Sequence, residues 1–87
     1  MNQSEMTYTF HNKRSEILQV ILEPWAEEYT VRPGSVLSIV ISYHKPGQIE
    51  TEIDQTYFVI WLWGGCRARV FLDGKDQTLP SLSIPAP

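Results

Sequence analysis

Four turn dipeptides constrain this chain most: Pro33-Gly34, Pro46-Gly47, Gly64-Gly65 and Asp73-Gly74, each between runs that alternate apolar and polar residues. In both Pro-Gly pairs, Pro occupies the second turn position and Gly the third, where a type II turn demands positive φ. Gly64-Gly65 and Asp73-Gly74 suit two-residue hairpins. Turn signals at this spacing predict a small sandwich or barrel.

The runs between the turns have a period of two, which buries one face of a strand. Leu37, Ile39, Ile41 and Tyr43 share a face, with Ser38 and Ser42 opposite. Ile49 and Ile53 oppose Glu50, Glu52 and Asp54, while Ala68, Val70 and Leu72 oppose Arg67 and Arg69. In Tyr57–Trp63 both faces are apolar: Phe58, Ile60 and Leu62 on one, Tyr57, Val59, Trp61 and Trp63 on the other. Such a strand is expected at a sheet centre, covered on both sides. Residues 16–23 fit either period. Ser15 could cap a helix there, but the β-branched content and short length favour a strand. Tyr8 and Phe10 suggest a short first strand, turned by Asn12-Lys13. The expected fold is all-β, a small antiparallel β-sandwich of about seven strands over residues 1–77. Residues 78–87 carry Pro80, Pro85 and Pro87, three positions that cannot donate to a ladder, and read as an extended or loosely ordered tail.

With 87 residues the core is thin, so three Trp, four Tyr and three Phe must supply much of the burial. A net charge of −3 argues against a nucleic-acid partner, whose usual footprint is basic. The longest uncharged apolar run, Tyr57 to Trp63, is too short to span a membrane as a helix. Met1–Met6 lacks the charged and apolar regions of a signal peptide, and a cytoplasmic protein is expected. Cys66 is the only cysteine, which excludes an intrachain disulfide.

Two surfaces are candidates for binding. Trp25 stands among Glu23, Glu27 and Glu28, which would suit a cation or a basic peptide. The plainer alternative has Trp25 and Tyr29 plugging one end of the sandwich, with the glutamates in water or one of them paired to Arg32. Calcium would need six to eight oxygen ligands, and the spacing of a dedicated loop is missing. Trp61 and Trp63 with Tyr57 form an aromatic ladder: a recognition surface if bare, core if covered. Glu50, Glu52 and Asp54 would find relief beside Arg67 and Arg69 if those strands share a sheet. Cys66 heads a strand on the face of Ala68 and Val70, as a small buried apolar residue would. Ser/His/Asp spacing and a phosphate-cradling glycine loop are both missing, so a non-enzymatic module is expected, with no cofactor. It would bind an unknown protein partner or a second copy through an edge strand.

Two resemblances add to this. The Pro33-Gly34 turn followed by Ser35-Val36-Leu37-Ser38-Ile39-Val40-Ile41 resembles the second-strand region of cupredoxins. That family's copper takes two His, a Cys thiolate and an axial Met. His44 and Cys66 could supply two ligands, but no histidine follows Cys66, the methionines are Met1 and Met6, and His11 lies on the first strand. The resemblance therefore covers topology alone, leaving a metal or redox protein based on His44 and Cys66 as an alternative. A carbohydrate-binding sandwich with a Trp61/Trp63 platform is another. Leu22-Glu23-Pro24-Trp25-Ala26-Glu27-Glu28-Tyr29, Pro33-Gly34 and the Trp63-Gly64 to Asp73-Gly74 stretch are similar to a group of short uncharacterised bacterial proteins. That resemblance supports the fold over residues 15–75 and transfers no site.

Overall fold

The computed structural model describes residues 3–87, which form two packed four-stranded sheets. Sheet A has β1 (Ser4–His11), β4 (Val36–Tyr43), β7 (Arg67–Leu72) and β8 (Lys75–Asp76) in the order β1-β4-β7-β8. Sheet B has β2 (Leu18–Glu23), β3 (Glu27–Val31), β5 (Glu50–Ile53) and β6 (Tyr57–Trp61) in the order β3-β2-β6-β5. Of residues 16–23, read as a strand, Leu18–Glu23 form one while Glu16 and Ile17 precede it, and the expected all-β sandwich is the fold. One pairing departs from the antiparallel expectation: β2 and β6 run parallel, with Val20 opposite Phe58 and Glu23 opposite Trp61.

The alternation read from the sequence fills the space between the sheets. Leu18, Val20, Leu22, Val31, Phe58 and Ile60 of sheet B meet Leu37, Ile39, Ile41, Ala68 and Val70 of sheet A. Each fully buried aliphatic side chain contributes roughly 1.5–3 kcal/mol. Cys66 lies in this core as the small apolar residue expected. Burial pushes its thiol pKa up, outweighing a hydrogen bond with the Trp63 backbone. Asn12, the one buried polar residue among those described, ties the β1–β2 connection to the end of β3. Its amide donates to the carbonyls of Glu16 and Val31, and its Oδ1 accepts from Arg14 N–H.

Four expectations are corrected. Gly64-Gly65 does not close a hairpin, because β6 belongs to sheet B and β7 to sheet A, so the chain crosses between layers there. Gly65 takes φ 89° at that crossing, whereas Gly74 serves the β7–β8 hairpin as expected. Pro46-Gly47 is not a type II turn, since Gly47 has no positive φ. Its missing side chain is used differently: a Cβ would lie 2.3 Å from the ring of Trp63. Gly47→Ala is therefore expected to displace Trp63 and lower stability by about 1–3 kcal/mol, measured by urea unfolding.

The acidic strand β5 and the basic strand β7 lie in different sheets, so Arg67 and Arg69 do not relieve Glu50, Glu52 and Asp54. Arg69 pairs instead with Glu5 at 3.2 Å, and Arg67 Nε donates to the Ser83 carbonyl. Residues 78–87 are not a loose tail. They form a short 3-10 helix (Pro80–Ser83) that closes one end of the sandwich, with Leu82 fully buried and Ala86 nearly so. The prolines leave the backbone free of any ladder, and apolar burial fixes the segment instead.

Candidate functional site: the outer face of sheet B

The outward residues of β2 and β6 build an apolar strip, half-buried to exposed, that no other described residue covers fully. Parallel register sets Ile21 beside Val59 and Glu23 beside Trp61. Tyr57 is 44% exposed and Trp61 39% exposed, far more than core aromatics allow. The central position of β6 agrees with expectation, but cover on both sides does not: its second apolar face is open.

Carboxylates frame the strip. On β5, Glu50 lies opposite Trp61 and Glu52 opposite Val59; on β3, Glu28 lies opposite Ile21. With Glu23 on β2 and Asp54 beyond β5, five acidic side chains surround four apolar ones. Among the described residues, none of the five has a basic partner at ion-pair distance, the ion pairs being Arg14–Glu16 and Arg69–Glu5. A depression of about 420 Å³ opens here between Ile21, Val59, Tyr57, Glu52, Ile53 and Asp54. Arg67 and Arg69 point outward from sheet A, on the opposite side of the molecule.

The two candidate surfaces of the sequence are regrouped. Glu23, Glu28 and Trp61 come together on this face; Trp25, Glu27 and Trp63 do not. Trp25 packs against the core, and its Nε1 donates to the Ile84 carbonyl at 3.0 Å. Glu27 accepts a hydrogen bond from Ser81, so both residues hold the C-terminal segment, and Arg32 pairs with neither Glu27 nor Glu28. The end-plug reading of Trp25 and Tyr29 is the one observed. Strand β6 ends at Trp61, so Trp63 leaves the ladder. It packs edge-on against Tyr43 and donates to the Lys45 carbonyl at 2.7 Å. Ile21, Val59, Glu52, Ile53 and Asp54 were not candidates in the sequence. The signal for them was the double apolar face of β6, but their adjacency depends on the β2–β6 pairing.

Tyr29 shows how the closed end differs from the open face. Burial pushes its phenol pKa up to about 12, and its hydroxyl donates to the Gln77 carbonyl at 3.1 Å. The folded state thus holds this proton more tightly than the unfolded chain. That stability is complete below pH 10 and is lost as pH rises through about 12. A loss of about 2–3 kcal/mol over this window is expected in urea titrations, and Tyr29→Phe should flatten it.

His44 borders a second depression, of about 320 Å³, with Lys45, Gly64 and Gly65, while Cys66 is fully buried. Among the described residues, no three His, Cys, Asp or Glu side chains converge as metal ligands. No helix is long and apolar enough to cross a membrane. Comparison with known proteins gave no matching family model, curated protein or solved structure.

Proposed function

We propose that this protein is a non-enzymatic binding module that holds a basic, apolar-bearing polypeptide against the outer face of sheet B. One observation carries this reading: four exposed or half-buried apolar side chains on a sheet face, ringed by five carboxylates without cationic partners. A desolvated aromatic strip supplies affinity, and the surrounding acidic residues steer and orient a cationic partner. Nucleic acid is repelled by the same charges. A carbohydrate platform built on both Trp61 and Trp63 loses support, because Trp63 is turned into its own packing. The reading extends to a bacterial cytoplasmic setting, supported by the Leu22–Tyr29 resemblance and by a single cysteine that has no disulfide partner in the chain.

A short synthetic peptide alternating lysine and valine is a suitable probe. Titrated into isotope-labelled protein, it is expected to shift the resonances of Ile21, Val59 and the Trp61 indole, and to bind more weakly as salt screens the carboxylates. Shifts confined to the Arg67/Arg69 side, or stronger binding of a glutamate-valine peptide, would contradict the assignment.

A further inference from the structure

Strand β5 is one of the two edges of sheet B, and unlike the other edge, β3, all of its residues are exposed. Its hairpin with β6 fixes which backbone groups remain free. Asp54 N–H donates to the Tyr57 carbonyl at 2.8 Å, making 54 and 57 a hydrogen-bonded pair. Alternation along an antiparallel ladder then makes Glu52/Val59 and Glu50/Trp61 bonded pairs as well. Thr51 and Ile53 are the non-bonded positions. Their N–H and C=O groups point away from β6, toward the open side of the sheet.

Side-chain chemistry along that edge is equally regular. Glu50 and Glu52 belong to the acidic outer face, whereas Thr51 and Ile53 alternate onto the inner side of β5. Ile53 is nonetheless 62% exposed. On the other sheet, Met6 of the edge strand β1 is 38% exposed. The edge therefore presents free backbone groups, a row of carboxylates on one side and uncovered apolar surface on the other.

We infer that β5 is the docking edge for an extended partner strand whose side chains alternate between cationic and apolar. Added beside β5, such a strand would bond the free groups of Thr51 and Ile53. Its basic side chains would lie next to Glu50 and Glu52, and its apolar ones would cover Ile53. A second copy of β5 is a poor occupant, because antiparallel self-pairing brings Glu50 and Glu52 against the same residues of the other chain. This inference rests on the acidic rim of the face proposed above, beside which the partner's basic side chains would lie.

The lysine-valine peptide tests both levels separately. At saturation, amide exchange at Thr51 and Ile53 is expected to slow at least about tenfold, the mark of a hydrogen bond that opens only when the peptide leaves. A version of the peptide N-methylated at alternate residues, with its charges intact, should bind at least about fivefold more weakly, as should Thr51→Pro, which removes an outward N–H and no ladder bond. If the peptide shifts Trp61 and Ile21 while exchange at Thr51 and Ile53 is unchanged, strand addition is wrong and the face reading survives. Equal binding of the N-methylated peptide has the same meaning. If neither Trp61 nor the β5 amides respond, both readings fail.

Discussion

Deleting residues 78–87 is expected to leave the chain largely unfolded under conditions where the 87-residue chain is native. Leu82 is fully buried in the core cluster, and Ala86 is 5% exposed. The segment also pairs with the β6–β7 crossover, through Gly65 N–H to the Ala86 carbonyl and Ala86 N–H to the Cys66 carbonyl, both at 2.8 Å. Thr78 Oγ1 accepts from Val70 N–H, and the Trp25 indole loses its acceptor with Ile84. Leu82→Ala alone should cost about 2–5 kcal/mol, the range for a buried leucine whose cavity cannot collapse. A domain of this size has about 4–13 kcal/mol in total, so losing the whole segment removes a comparable amount. Circular dichroism and urea unfolding measure both variants. Cys66 gives an independent readout, since its buried, high-pKa thiol should resist labelling in the intact protein and react readily after truncation. A truncated chain with an unchanged unfolding midpoint and a protected thiol would refute this account of the closed end.

The second large effect concerns binding. Trp61→Ala is expected to weaken the lysine-valine peptide by about 30-fold, the loss of roughly 2 kcal/mol typical of an aromatic anchor. Because Trp61 is 39% exposed, its removal should leave folding stability within about 1 kcal/mol of the parent. Glu50→Lys combined with Glu52→Lys should be at least as damaging, since it replaces two attractions with two repulsions beside the strip. The same double change should raise affinity for a glutamate-valine peptide, which a merely destabilised protein would not do. Trp63→Ala has the opposite profile: it removes the edge-on contact with Tyr43 and the bond to Lys45, so stability falls. Isothermal titration and urea unfolding on the three variants separate these outcomes. Peptide affinity unchanged by both Trp61→Ala and the charge reversal would remove sheet B from consideration.

Much of the fold was legible because period-two alternation needs no knowledge of which strands pair. Leu37, Ile39 and Ile41, or Ala68 and Val70, point inward whatever their neighbours are. Pairing is a different matter. Gly64-Gly65 has the composition of a hairpin, and only the competition between layers for Trp61 and Arg67 decides that it is a crossover. From that one difference follow two errors: the supposed relief of Glu50 and Glu52 by Arg67 and Arg69, and the supposed cover over Trp61. Proline content misled at the C-terminus, because it reports on backbone donors and is silent about Leu82, which is buried in the core, and Leu79, which packs against it. The glutamates after Trp25 illustrate the limit for the site. Glu27 and Glu28 are adjacent in sequence, yet strand geometry sends Glu27 to the C-terminal segment and Glu28 to the open face. Sequence proximity to Trp25 carried no information about which tryptophan each would accompany.

The proposed binding face depends on β2 and β6 running side by side in the same direction, which brings Glu23 to Trp61 and Ile21 to Val59. Two hydrogen bonds bracket that pairing, Gln19 N–H to the Thr56 carbonyl and Leu62 N–H to the Glu23 carbonyl, each 2.9 Å long. Scalar couplings across hydrogen bonds, measured by NMR on labelled protein, report these partners directly. Couplings from Gln19 to Thr56 and from Leu62 to Glu23 are the predicted result. Coupling of the β6 amides to β7 carbonyls, as a Gly64-Gly65 hairpin would give, would contradict the parallel pairing and dismantle the site built on it.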